Sequence, residues 1–334
     1  MSACGRSGSD RPGGIRLAGS RPVVSCGLTL PKPLRGIVTP LLTPLRTPDG
    51  IDRRGLKRLI RHVEAGGVNG IFILGTTGEG PALSRRAQEE MIHGSCEAAG
   101  ARVPVLVGVT HPSFADAVAL ARASRAAGAS AVVTAGPVYF PVAQPQLEAY
   151  TRRFADASPL PVFVYNMPSH THAFFEAETV ARLAEHGNIA GLKDSSGQIM
   201  YLENCRAATA HRRDFTLMTG PEEMMAECVM NGIHGGVNGG SNLFPALYVA
   251  LYKAAARGDL DAVRPLRARV LDISRRLYNA GTYGSSYLQG IKCAASVMGL
   301  CSDVLAAPYE RFGPAEKETI AAHVREIQAE LGGS

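Results

Sequence analysis

From residue 36 onward, short apolar and β-branched runs alternate with longer stretches in which apolar positions recur at helical spacing. The runs predict strands at 36–41, 70–74, 103–107, 131–134, 161–165, 189–192, 216–219 and 233–237. The stretches between them predict helices at 53–65, 85–99, 114–127, 147–155, 177–186 and 222–231. Short strands separated by helices of that length imply βα units and a parallel sheet covered by helices.

Eight such units at nearly regular spacing predict an α/β fold, a closed (β/α)8 TIM barrel. An open doubly wound sheet is the alternative, and it would carry a glycine-rich nucleotide fingerprint after the first strand. The residues there are Leu42-Thr43-Pro44-Leu45, without that pattern. Beyond the eighth strand, 243–256, 262–279, 285–298 and 314–331 supply the last barrel helix and three more. The expected division is a disordered N-terminal extension at 1–33, a catalytic barrel at 34–258 and a C-terminal helical region at 259–334.

Composition narrows the class. A chain of 334 residues, 46% apolar, has room for a large core. No apolar stretch approaches the roughly 20 residues needed to cross a bilayer, and the Gly-, Pro- and Arg-rich start lacks the apolar core of a secretory signal. The net charge of +6 suggests nucleic acid until it is located: residues 1–35 hold six Lys/Arg against one Asp. The rest of the chain is nearly neutral, so neither a nucleic-acid nor a membrane partner is expected. Seven dispersed cysteines without CxxC spacing fit a reducing, cytoplasmic setting rather than a disulfide framework or a structural zinc site.

In a barrel of this kind, chemistry is expected at the carboxyl ends of the strands. The second strand runs into Gly75-Thr76-Thr77-Gly78-Glu79-Gly80, where two hydroxyls and peptide N–H groups can converge on an anion, although a bare turn would read the same. The fourth leads to Tyr139 and the fifth ends at Tyr165; each phenol is either a packed ring or a proton carrier. Lys193 ends the sixth, after the apolar run Ile189-Ala190-Gly191-Leu192. The chain has six lysines against 29 arginines, and only a lysine amine can form a Schiff base.

The seventh strand is followed by Glu222 and Glu223, placed either to favour a helix N-terminus or to bond substrate hydroxyls. The eighth leads into Gly235-Gly236-Val237-Asn238-Gly239-Gly240-Ser241-Asn242, where Asn238 or Ser241 could bond the distal part of a ligand. His170, His172 and His234 make no metal-binding pattern, and no metal or organic cofactor is expected.

Taken together in order, the Gly36-Ile37-Val38-Thr39-Pro40 start, GTTGEG at 75–80, PVYF around Tyr139, YNMP at 165–168 and GLKDSSG at 191–197 resemble the dihydrodipicolinate synthase and N-acetylneuraminate lyase superfamily, the pyruvate-dependent class I aldolases. The resemblance covers about residues 34–330. It implies a (β/α)8 barrel with a C-terminal helical extension, assembled as a homotetramer of tight dimers. It implies that Lys193 forms the covalent imine, that Tyr165 shuttles protons with Thr76 and with Tyr139 of a neighbouring subunit, that Thr76 and Thr77 grip the carboxylate of a 2-oxo acid, and that Val237 packs near the pyruvate methyl.

Departures bear on the second substrate. Dihydrodipicolinate synthases carry an arginine where this chain has His170, and a largely neutral imidazole cannot reproduce a bidentate guanidinium clamp. Glu222 and Glu223 match the Asp-Glu pair that holds sugar hydroxyls in N-acetylneuraminate lyases, but Gly239 and Gly240 replace that family's serine and threonine. The expectation is therefore an aldolase that cleaves a 2-keto-3-deoxy sugar acid to pyruvate and an aldehyde. The alternatives are 4-hydroxy-tetrahydrodipicolinate synthase, N-acetylneuraminate lyase, a related dehydratase or deaminase, and a non-catalytic 2-oxo-acid-binding protein.

Overall fold

The computed structural model describes residues 28–332. Eight parallel strands close into a barrel: β1 (Gly36–Pro40), β2 (Gly70–Ile73), β3 (Val105–Gly108), β4 (Ala131–Thr134), β5 (Val162–Asn166), β6 (Ile189–Asp194), β7 (Thr216–Thr219) and β8 (Gly235–Gly236). Each strand pairs with its sequence neighbours, and β8 closes the ring on β1 through Gly36 opposite Gly235. That seam demands glycine, because a Cβ on Gly235 would lie 1.9 Å from the Gly36 carbonyl oxygen. The strand expected at 233–237 shortens to two residues there.

Helices α1 (Arg53–Ala65), α2 (Arg85–Ala99), α3 (Phe114–Ala127), α4 (Gln144–Ala157), α5 (Ala177–Ala184), α6 (Ile199–Ala208), α7 (Met225–Met230) and α8 (Pro245–Ala256) ring the barrel. Local chemistry sets several starts: the Asp52, Ser84 and Ser113 side chains each accept a first-turn N–H of the helix that follows. Two expectations change. The helix expected at 222–231 begins as a 3-10 turn, Glu222–Met224, and α6 stands where no helix was foreseen.

Past the barrel lie α9 (Leu260–Ile273), continued by a π-helical segment at Ser274–Tyr278, then α10 (Ser286–Val297) and α11 (Pro314–Gly332). The fold is a (β/α)8 barrel with a C-terminal helical extension.

Two apolar clusters hold it together. The larger lies between strands and helices, and the smaller fills the barrel with Leu34, Val38, Phe72, Phe163, Met218 and others. Leu30, 6% exposed, belongs to the inner cluster. The expectation for 1–27, including Cys4 and Cys26, lies outside the described residues. The other five cysteines are free and buried.

Candidate active site

The carboxyl ends of β2, β5 and β6 bring the expected chemistry together. Strand β6 runs two residues further than its apolar run suggested, because Lys193 and Asp194 continue the ladder beside Tyr165 and Asn166. Lys193 therefore sits inside the barrel end, level with Tyr165 on the adjacent strand, and is 7% exposed. Its Nζ lies 4.0 Å from the centre of the Tyr165 ring and 4.9 Å from that of Phe72. The amine is thus cupped by two aromatic faces, a favourable place for a cation that leaves its lone pair reachable once deprotonated.

The residue after it does the anchoring. Asp194 is fully buried and accepts bonds from Asn166 Nδ2 at 2.7 Å and from the Ser196 N–H and hydroxyl at 3.2 and 3.0 Å. Burial pushes its carboxyl above the usual value, and these donors oppose the rise. The carboxylate fixes the turn that ends β6 and so fixes the lysine before it.

Tyr165 is the phenol nearest the amine. Burial pushes its pKa up, but the Lys193 charge and hydrogen bonds with Ser195, Thr76 and Lys193 outweigh burial, so the phenol lies below its ordinary 10.0. Thr76 Oγ1 stands 3.5 Å from the phenol oxygen, a loose contact that a ligand could tighten. A phenol easier to ionise beside an amine is suited to exchange protons with an adduct on that amine.

The loop after β2 turns tightly. Glu79 has a left-handed backbone with φ of 56°, and a Cβ on Gly80 would lie 2.0 Å from the Leu74 carbonyl oxygen. Glu79 enters a buried ion pair with Lys292 on α10, and it also accepts the Ala306 N–H at 2.7 Å. Thr77 is buried, with its hydroxyl 3.0 Å from the Tyr287 hydroxyl, also on α10. Neither Lys292 nor Tyr287 was singled out in the sequence.

A cavity of about 840 Å³ opens over this floor, lined by Thr76, Tyr165, Met167, His170, Thr110 and His111 among others. Lys193 lies just beneath, on a small void of about 10 Å³ that shares Phe72 and Val133 with the cavity and includes Val237. Val237 and Lys193 thus line the same void. His170 lies at the rim, its Nδ1 3.0 Å from the Ser169 hydroxyl; loss of solvent there lowers its pKa from the ordinary 6.5, leaving a neutral ring at pH 7.

The remaining candidates do not converge on the cavity. Glu222 is 4% exposed, and its carboxylate accepts the Gly240 N–H at 2.9 Å, the Tyr278 hydroxyl at 2.8 Å and the Tyr248 hydroxyl. Burial raises its pKa to about 7 against those donors. Its oxygens are engaged by the protein, and it is not among the residues that line the cavity. Glu223 accepts the Ser274 hydroxyl at 2.6 Å. Asn238 donates to the Gly220 carbonyl, and Ser241 donates to the Asn238 carbonyl and lies 2.9 Å from the Thr39 hydroxyl, from which it can accept; both are fully buried, so they brace the β8 loop instead of lining the cavity. Tyr139 is 82% exposed in this single chain, its ring against Phe140 and its φ at 83°. Among the described residues no group of three or more His, Cys, Asp or Glu is placed to hold a metal ion, and no helix is long and apolar enough to cross a membrane.

The model of the dihydrodipicolinate synthetase family matches residues 33–328. The chain belongs to this family. It is a pyruvate-dependent, Schiff-base-forming lyase of the dihydrodipicolinate synthase and N-acetylneuraminate lyase type. A protein called 4-hydroxy-tetrahydrodipicolinate synthase in Azoarcus sp. (strain BH72) is 34% identical over 73% of this chain and 83% of its own length. An uncharacterised lyase of the same type in Halobacterium salinarum is 31% identical over 89% of this chain and 95% of its own. Among solved structures, dihydrodipicolinate synthase of Bacteroides thetaiotaomicron is 46% identical, with a TM-score of 0.86 over 88% of this chain and 99% of that one. A prophage protein of the family from E. coli K12, solved with pyruvate, is 25% identical with a TM-score of 0.82, covering 88% of this chain and 98% of that one.

Proposed function

We propose that the chain condenses pyruvate, held as an imine on Lys193, with aspartate 4-semialdehyde. The observation that carries the first half is the placement of Lys193 and Tyr165 at one level of adjacent strands under the cavity, with Thr76 on the phenol. The second half is supported by the relatives called 4-hydroxy-tetrahydrodipicolinate synthase. It gains from Glu222, whose engaged carboxylate removes an acceptor on which the sugar-acid expectation leaned.

Neutral Lys193 attacks the pyruvate ketone, and Tyr165 supplies the proton with which the carbinolamine loses water. The resulting iminium withdraws electrons from the methyl group; loss of a methyl proton gives the enamine, which attacks the aldehyde carbon as that oxygen takes a proton. Water then releases the product from the lysine. Thr76 and Thr77 hold the pyruvate carboxylate in this reading, and Val237 packs on the methyl. At the rim, His170 and Ser169 meet the semialdehyde carboxylate with neutral hydrogen bonds, weaker than a guanidinium clamp. Tyr139, exposed in the single chain, completes the site of a second subunit within a tetramer, and the buried free cysteines fit a cytoplasmic setting.

A coupled assay decides the substrate. Turnover with pyruvate and aspartate 4-semialdehyde should exceed pyruvate release from 2-keto-3-deoxy sugar acids and from N-acetylneuraminate. Faster cleavage of a sugar acid would restore the expectation drawn from His170.

A further inference from the structure

The C-terminal helices contribute to this site from behind. Tyr287, in the first turn of α10, brings its hydroxyl to 3.0 Å from Thr77 Oγ1 on the loop after β2, across 210 residues of sequence. The fold makes room for that phenol: a Cβ on Gly239 would lie 2.0 Å from the Tyr287 oxygen. Gly240 does the same for Tyr248, whose oxygen would be 1.9 Å from a Cβ there. The two glycines that looked like losses in the β8 loop are thus the space in which two phenols sit. The Tyr287 ring is itself fixed edge-on against Tyr278, with centres 4.8 Å apart and planes at 79°, and Tyr278 is tied to Glu222.

We propose that Tyr287 is a positioning residue for pyruvate binding: its phenol donates to Thr77 Oγ1 and so turns the Thr77 hydroxyl hydrogen toward the substrate carboxylate. A threonine hydroxyl has one hydrogen and two lone pairs. If Thr77 donated to Tyr287, no hydrogen would remain for the anion; if Tyr287 donates, the Thr77 hydrogen is free. The direction follows from the two hydroxyls: a phenol O–H is a stronger donor and a weaker acceptor than an aliphatic one, and burial keeps the Tyr287 proton in place. The Glu222, Tyr278 and Tyr248 cluster holds the ring from turning away.

The inference rests on Thr77 as a carboxylate ligand, and its test separates the two ideas. Pyruvate KM and kcat are measured for Tyr287→Phe, Thr77→Val, Thr77→Ser, and Tyr287→Phe combined with each, with thermal melting to show that each is folded. Tyr287→Phe should raise the pyruvate KM about tenfold, the worth of one well-placed hydrogen bond to an anion, with a smaller change in kcat. The increase should persist in the Thr77→Ser background, which keeps the hydroxyl, and vanish in the Thr77→Val background. Unchanged KM in Thr77→Val would overturn the carboxylate assignment. A raised KM in Thr77→Val with wild-type KM in Tyr287→Phe, or equal effects of Tyr287→Phe in the Val and Ser backgrounds, would overturn the positioning role alone.

Discussion

Lys193 and Lys292 are both withdrawn from water, 7% and 0% exposed, but they meet different neighbours. The Lys292 amine meets the Glu79 carboxylate in a pair that is itself buried. Burial pulls Lys292 below its ordinary 10.5, and the Glu79 charge opposes that pull. Lys193 faces the Tyr165 and Phe72 rings and, among the described residues, enters no ion pair. Burial alone therefore does not make a lysine reactive. A carboxylate partner turns the buried amine into a bracing group, while aromatic walls and a neighbouring phenol leave it open to a carbonyl.

The sharpest way to break this comparison is Lys193→Ala. Turnover should fall to the uncatalysed background and borohydride with pyruvate should leave no adduct on the protein, while the denaturation midpoint stays close to wild type. An adduct of full stoichiometry mapped by mass spectrometry to Lys292 would reverse the two assignments.

The complementary change is Lys292→Met. It leaves Glu79 buried without its cation and should cost about 3–5 kcal/mol in guanidinium unfolding, with most of the loss recovered when Glu79→Gln is added. A variant as stable as wild type would mean that the pair does not brace the loop.

Glu222 extends the contrast to an acid that, among the described residues, is buried without an ion-pair partner. Its pKa is raised from 4.5 to about 7, so the folded state holds this proton more tightly than the unfolded chain does. The stability this lends is complete below about pH 4.5 and is lost as pH rises through about 7, on the order of 3 kcal/mol in all. Unfolding free energies of wild type and Glu222→Gln should therefore diverge across that window, the variant lacking the decline. Parallel curves would show that the carboxyl is ionised throughout.

What the sequence revealed and what it hid follow the range of the interactions. Helix α1 was legible to both ends because its cap, Asp52, lies next to it and its buried face repeats regularly through Leu56, Leu59, Ile60 and Val63. Helix α6 was not: it starts at Gln198 without a capping side chain and buries only Tyr201, Leu202 and Cys205. Lys193 and Tyr165 stood out because strand ends are where a barrel concentrates chemistry. Lys292 was not singled out, since the carboxylate that explains it is 213 residues away. Glu222 looked like a ligand for the same reason, its phenol partners standing 26 and 56 residues further on. The sugar-acid expectation leaned on that pair, and a pair of acids beside a strand end carries no sign of whether its oxygens are already taken.

Three contacts tie the loop after β2 to segments beyond residue 258: Thr77 with Tyr287, Glu79 with Lys292, and Glu79 with the Ala306 N–H. A recombination experiment that swapped the last 76 residues between relatives, treating them as an exchangeable module, would carry part of the catalytic mouth across with them. In this chain the barrel and its tail share the mouth of the site, and a crossover placed after α8 would part these contacts without touching a strand.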